Sequence, residues 1–183
     1  MPDYCAPIIK SMQPTYLPNK NADPLVAFAE FFLSQPLVAL TTPVLPVTSQ
    51  GPVAHVVLTR QGQYQVELYL LMQPNSTFPP HRHPHVDTIE VNLSGDLLFA
   101  LDGVDTPSNT TLIVPSAYGE TRKRAVRIRP NQEHWVHVGP TGGAFLSIQH
   151  WMGQEPRSVV LDWDGPSFSK LHQDNLNRKE DAQ

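Results

Sequence analysis

Apolar and polar positions along this chain keep two different rhythms, and the change falls near residue 35. Before it, Leu25, Phe28, Ala29, Phe32 and Leu33 recur at helical spacing, which predicts a helix of about three turns with one apolar face. Asp23 followed by Pro24 marks its start, because an aspartate side chain accepts from the first free N–H groups and proline fits the first turn. Residues 1–21 read as an arm, and 36–52 as an extended connector with room for a short strand. From Val53 the period becomes two, predicting strands over 53–59, 64–72, 86–93, 97–101, 110–114, 125–129, 134–138, 144–151 and 159–161. Short strands at this density indicate an all-β sandwich or barrel. The chain therefore divides into an arm and amphipathic helix (1–52), a β domain (53–165) and a polar C-terminal tail (166–183), the tail either a frayed helix or disordered. No internal repeat is visible.

Composition narrows the function classes. At 183 residues, 40% hydrophobic and 16% charged, the chain suits one domain with a real core. A net charge of −4 gives no reason to expect nucleic acid, and Arg122-Lys123-Arg124 reads as a solvated edge. The lone Cys5 excludes an internal disulfide framework and fits a reducing compartment. No stretch has the apolar length of a membrane span, and the N-terminus lacks the basic-then-apolar order of a signal peptide, so a soluble cytoplasmic protein is expected. Nineteen prolines against ten glycines favour short strands joined by rigid turns.

The chemistry centres on histidine. His81 and His83 are two apart; in a strand they would share a face and converge on one ion. His134, after the turn-like run Pro130-Asn131-Gln132-Glu133, offers a third imidazole, and three ligands with open positions would let a metal do chemistry. His85 and His137 read as surface or mouth residues. His55 and His150 read as core histidines within apolar strands, with His150 also able to line a pocket, and His172 carries no signal. Phe78, Phe99, Trp135, Phe145 and Trp151 suggest an apolar cavity with a few polar handles. Arg82, Arg127 and Arg129 could grip a carboxylate, although exposed strand edges use arginine the same way. The run Gly139 to Gly143 reads as a turn between strands and carries no nucleotide signal.

Residues 73–95 and 129–139 resemble the two motifs of the cupin superfamily, and the resemblance covers about residues 53–151. That family's first motif runs Gly, five residues, His-x-His, three or four residues, Glu, six residues, Gly; its second runs Pro-x-Gly, two residues, His, three residues, Asn. Here Asn75 stands for the first glycine and Gly95 closes the first motif. Asn131 replaces the glycine of the second, with Arg129 at its proline and Val138 at its asparagine. Asparagine tolerates the left-handed backbone region better than other side chains, so both tight turns survive the exchange. The glutamate position falls on Thr88 whether counted from His83 or from Gly95.

The resemblance implies a double-stranded β-helix, or jelly-roll, barrel in which His81, His83 and His134 hold the metal. Three-histidine sites of that kind occur in dioxygenases cleaving gentisate-like acids, β-diketones or thiols, and His81-Arg82-His83 is similar to the His-Arg-His of the gentisate group. A rival register, His83, His85 and Glu90, keeps the same spacing but makes both flanking turns the wrong length. Glu90 shares the face of Thr88, so it is a candidate ligand, orienting group or catalytic base, with Arg82 as a second candidate catalytic residue. The expected activity is a non-haem Fe(II) dioxygenase cleaving a C–C bond in a small anionic substrate, with dioxygen as partner. The alternative is a non-oxidative isomerase, lyase or binding protein using Zn or Ni, with Mn also able to occupy the site. The arm and helix lead to the expectation of a homodimer.

Overall fold

The computed structural model describes residues 22–35, 48–50, 53–71, 74–116, 119–153 and 156. Its elements are α1 (Pro24–Ser34), β1 (Thr48–Gln50), β2 (Val53–Gln61), β3 (Tyr64–Leu71), β4 (Ser76–His81), β5 (Val86–Leu101), β6 (Val104–Asp105), β7 (Thr110–Ser116), β8 (Gly119–Ile128) and β9 (His134–Trp151). The arm over 1–21, the connector over 36–47, the strand expected at 159–161 and the polar tail lie outside the described residues. No described helix is long and apolar enough to cross a membrane.

Helix α1 begins where the sequence predicts. Asp23 Oδ1 accepts from the N–H groups of Leu25 and Val26 at 3.1 and 3.2 Å, satisfying two donors that the first turn leaves free. Pro36 follows the C-cap Gln35, and the residue before a proline is driven out of the helical region; Gln35 is extended, with ψ 147°. The predicted face, Leu25, Phe28, Ala29 and Phe32, is buried against Val66, Ile89, Leu146 and Ile148 of the sheet. Burial of each large side chain contributes about 1.5–3 kcal/mol. Arg127 ties the helix start to the sheet by bonding Asp23 while gripping Asp87 through two nitrogens at 3.1 and 2.7 Å.

The sheet is organised by β5 and β9, which run antiparallel for nearly their whole lengths. Their first pairing, Val86–Asn92 with Phe145–Trp151, joins β3 on one side and β8 on the other. Their second, Leu97–Leu101 with His134–Val138, joins β4 and β6. Register shifts at Asn92/Ser94 and Gly95/Leu97 separate the halves, so the ribbon folds over on itself. One cluster fills the space between, combining Tyr69, Val86, Phe145 and Trp151 of one half with Phe99, Leu101 and Val136 of the other. The sequence reading split each long strand in two, because Ser94-Gly95 and Gly139 to Gly143 look like turns; in the structure β9 runs through Gly139–Gly143 without a break. It also missed β4, whose Ser76-Thr77-Phe78-Pro79-Pro80-His81 has no apolar alternation.

The expected closed jelly-roll barrel requires correction. The hydrogen-bonded path runs β1-β2-β3-β9-β5-β8-β7, and its end strands do not pair with one another. One reason is visible at β7, where the Ile113 N–H donates to Glu30 Oε1 of α1 at 2.7 Å, so the helix takes a donor that a closing strand would need. The architecture is a predominantly β, folded-over open sheet with a helix on its outer face.

The fold point is confined sterically. Gly95 has φ +78°, and a Cβ there would lie 2.1 Å from the Gly142 carbonyl oxygen. Gly95→Ala is therefore expected to destabilise the protein by more than about 3 kcal/mol, combining backbone strain with the clash. Gly62→Ala, also at positive φ but with no atom within 4 Å of the new Cβ, is expected to cost only about 1 kcal/mol. Urea denaturation of the two variants measures the difference, and equal costs would show that the fold point tolerates a side chain.

Candidate metal centre

Two left-handed turns and one strand pair deliver the histidines. Asn75 and Asn131 have φ of 52° and 61°, the conformation that asparagine was expected to supply in place of glycine. The Asn75 N–H donates to the Gly139 carbonyl at 3.1 Å, setting the start of β4. The Asn131 N–H donates to the His83 carbonyl at 2.9 Å, tying the turn before β9 to the residues after β4. His81 ends β4 and pairs directly with His134, the first residue of β9. His83 lies beyond the strand end, so strand alternation is not what aims it; the Asn131 contact holds its backbone instead.

The rings gather closely, with centroids 5.0 Å apart for His81 and His83, 4.2 Å for His81 and His134, and 5.2 Å for His83 and His134. One ligand nitrogen from each lies within 4.8 Å of the others, close enough to share a divalent ion. His83 and His134 are buried and His81 is partly so. His134 Nδ1 stands 3.0 Å from the Gln132 carbonyl oxygen, which can only accept. Nδ1 therefore carries the proton and Nε2 keeps its lone pair, the arrangement a metal-binding imidazole requires. The donor set fits Fe(II), Zn, Ni or Mn without selecting among them.

The cluster opens into a small cavity of about 60 Å³. Leu71, Phe78, Phe99, Ile128, Val136 and Phe145 form much of its wall, with Tyr69 and Trp135. Tyr69 stacks on Phe145 at 5.0 Å, and Phe99 meets the same ring edge-on at 5.4 Å. Thr88, Glu90 and Ser147 supply further polar groups, and among the described residues no lysine or arginine lines the cavity.

Behind this wall lies a polar layer of which the sequence reading singled out only Thr88 and Glu90. Register places Glu67, Ser147 and Glu90 in one row across β3, β9 and β5, with Gln65, Gln149 and Thr88 in the next. All six are buried. Gln65 donates to Glu67 at 2.7 Å and to Gln149 at 3.2 Å, Tyr69 donates to Glu67, and Arg60 donates to Gln65. Gln149 donates to Ser147 at 3.1 Å, and Ser147 donates to Glu90 Oε1 at 3.0 Å. Burial pushes the Glu90 carboxyl up to about 8, with Ser147 and the nearby Thr88 hydroxyl offsetting part of the rise and Glu67 adding to it. Thr88 stands near enough to favour the charged form without meeting hydrogen-bond geometry. Burial and the Glu67 charge raise Tyr69 well above an ordinary phenol, so it stays neutral.

Other candidates fall elsewhere. Arg82 forms a half-exposed ion pair with Glu133 at 3.3 Å and does not line the cavity. Arg127 and Arg129 bond Asp87, the latter at 3.4 Å. His85 is exposed and outside the cluster. His137 is exposed, accepting from Trp135 at 3.0 Å and facing Thr77 at 2.9 Å. His150 stacks on Tyr64 at 4.7 Å, away from the cavity. The side chain of His55 and all of His172 lie outside the described residues.

Three histidines brought together by two turns, between the layers of a folded β-sheet, form a group able to hold a divalent ion, at the positions the motif resemblance implies. No protein-family model matches the sequence, and no curated protein does. Solved structures are similar to it at low identity. An RmlC-like cupin from Shewanella frigidimarina NCIMB 400 is 13% identical, over 61% of this chain and 87% of that one, with a TM-score of 0.45. KdgF from Halomonas sp. is 10% identical over 62% and 89%, with a TM-score of 0.45. A predicted oxalate decarboxylase from Thermotoga maritima is 16% identical over 62% and 96%, with a TM-score of 0.43. At identities this low the chemistry has to be read from the site itself.

The raised Glu90 carboxyl makes stability depend on pH. The folded state holds this proton up to about pH 8, whereas an ordinary glutamate releases it near 4.5, so the folded state binds more protons in between and stability falls as pH rises through that window. The chelator-treated protein is expected to lose roughly 3–5 kcal/mol between pH 5 and pH 8.5, and Glu90→Gln to lose much less. Urea denaturation at several pH values checks this, and identical slopes would show that Glu90 is ionised throughout.

Proposed function

We propose that the chain is a metal-dependent enzyme acting on a small molecule, with His81, His83 and His134 holding a divalent ion and Glu90 moving a proton. The observation that carries this reading is the pairing of a three-imidazole cluster with a buried carboxyl in one largely apolar cavity. Neutral ligands leave a bound ion its full double charge, and as Fe(II) it supplies dioxygen chemistry, whereas as Zn or Ni it supplies Lewis-acid chemistry.

The cavity lining supports a reading of the substrate class. The cavity is small, so it suits a molecule of a few heavy atoms better than a nucleotide or a polycycle. With no cationic side chain among the described residues of the wall, a substrate anion would be met at the metal position, leaving an apolar body against Phe78, Phe99 and Phe145. Arg82 is not placed to grip it. These features favour a short enolisable carbonyl compound or a thiol over a polyacid. A cation held at the histidines would favour the charged form of Glu90, the form in which it acts as a base.

The oxidative reading, an Fe(II) dioxygenase cleaving a C–C bond, takes dioxygen as second substrate. Glu90 favours a second reading, a Zn- or Ni-dependent isomerase or lyase, since proton transfer alone completes such reactions. Protein purified without added metal is expected to carry close to one divalent ion per chain, and His134→Ala to lose both the ion and activity. Mass-spectrometric metal analysis, with oxygen uptake by the Fe(II)-loaded protein offered short β-diketones and thiols, checks both. Uptake retained by metal-free His134→Ala sinks the metal reading, and turnover without oxygen consumption selects the non-oxidative one. Glu90→Gln is expected to keep the metal and lower kcat by about 10²–10⁴-fold.

A further inference from the structure

We propose that Trp151, Gln149 and Ser147 form a one-way hydrogen-bond chain that positions Glu90 and reserves its Oε2 as the atom exchanging protons with a molecule in the metal cavity. This deepens, and rests on, the acid–base role given to Glu90 above.

The direction of each link follows from chemistry. An indole N–H can only donate, so Gln149 Oε1, 2.9 Å from Trp151 Nε1, is an acceptor. Gln65 donates to the same oxygen at 3.2 Å. With its oxygen committed twice, the Gln149 amide has one orientation, which turns Nε2 toward Ser147 Oγ at 3.1 Å. An amide N–H also only donates, so Ser147 Oγ accepts there and spends its single proton on Glu90 Oε1 at 3.0 Å. Trp151, Gln149 and Ser147 are at most 2% exposed, so water does not compete for these groups.

The consequence falls on Glu90. Its Oε1 is always an acceptor, and in the protonated acid the hydrogen therefore sits on Oε2. That oxygen is buried and has no hydrogen-bond partner among the described residues, while the side chain lines the cavity. In a turnover, the ionised carboxylate takes a proton from substrate carbon or oxygen. The C–H or O–H bond breaks, the Oε2–H bond forms, and the electron pair stays on the substrate. The same proton returns from Oε2 to the product, so no oxidant or reductant is required for this step. Ser147, Gln149 and Trp151 act through Glu90 and are positioning residues.

Infrared spectroscopy of the full chain tests this without a substrate. At mildly acidic pH a protonated Glu90 gives a carboxylic C=O band, assigned by its loss in Glu90→Gln. Ser147→Ala is expected to move that band to higher frequency, because Oε1 loses its donor, and Ser147→Thr to restore it. Gln149→Met, which removes the link that directs the Ser147 proton, is expected to move it the same way by less. A band at the wild-type frequency in both Ser147→Ala and Gln149→Met overturns the proposal, as does the absence of any band lost in Glu90→Gln. Zinc stoichiometry measured on the same samples separates the two readings. Unchanged zinc binding with a shifted band supports the chain, whereas wild-type protein that binds no zinc removes the metal reading whatever the band does.

Discussion

The close approach of Gly95 to Gly142 governs the rest of the molecule. β9 carries His134 at one end and Ser147 well along its length; were the strand straight, the thirteen residue steps from one to the other would span roughly 40 Å. Both side chains nonetheless line one cavity. That is achieved by folding the β5–β9 ribbon where a side chain at Gly95 would strike the Gly142 carbonyl. The histidine cluster is built in one half of the fold and the Glu90 wall in the other, so the pairing of imidazoles with carboxyl depends on this backbone contact. Direct steric exclusion at a bend also differs from hydrophobic packing in tolerance. A core can absorb a methyl group by small rotations, whereas two backbones in contact have no rotamer to change.

Parts of this arrangement are written in local sequence and parts are not. The helix and its cap were legible because Asp23, Pro24 and the apolar positions after them act within a few residues. The turns before β4 and β9 were legible for a similar reason, since Asn75 and Asn131 adopt the positive φ that few side chains accept. The histidine cluster followed from the spacing of those turns, although the means differed at His83, which a cross-segment hydrogen bond holds where strand alternation was expected. The lengths of β5 and β9 were not legible. Glycine marks a turn and a close backbone approach equally well, and only tertiary contact decides between them. Closure of the sheet was likewise a non-local matter, settled in part by Glu30 reaching the edge of β7 from a helix far away in sequence.

The polar layer was hidden for an instructive reason. In β3, Gln65, Glu67 and Tyr69 alternate with Val66 and Leu68, and in β9, Ser147 and Gln149 alternate with Leu146 and Ile148. Period-two reading assigns such polar positions to solvent. Here both faces are covered, one by α1 and the other by the second half of the folded ribbon, so the polar set is enclosed. Burying polar groups costs free energy unless each finds a partner, and most of this layer meets the condition through a chain of side-chain bonds from Arg60 to Glu90. The available sequence signal was the pairing of two such strands in register, which alternation within either strand does not show.

Thr88 and Glu90 together explain how the site can be neutral in its ligands and still hold an acid. The motif that this chain resembles puts a carboxylate at position 88, where it would neutralise part of a bound ion's charge. Threonine there leaves three imidazoles, and the carboxyl stands two residues on, on the same face, in the row that pairs with Ser147 where Thr88 pairs with Gln149. Displaced by that step, it is outside the ligand cluster and inside the cavity wall. Among the described residues, Thr88 Oγ1 and Glu90 Oε2 are buried oxygens without a hydrogen-bond partner, in a layer whose other members are bonded to one another. Unmet hydrogen-bonding capacity is thus held in two side chains that line the cavity, and the tightly bonded layer behind fixes their position.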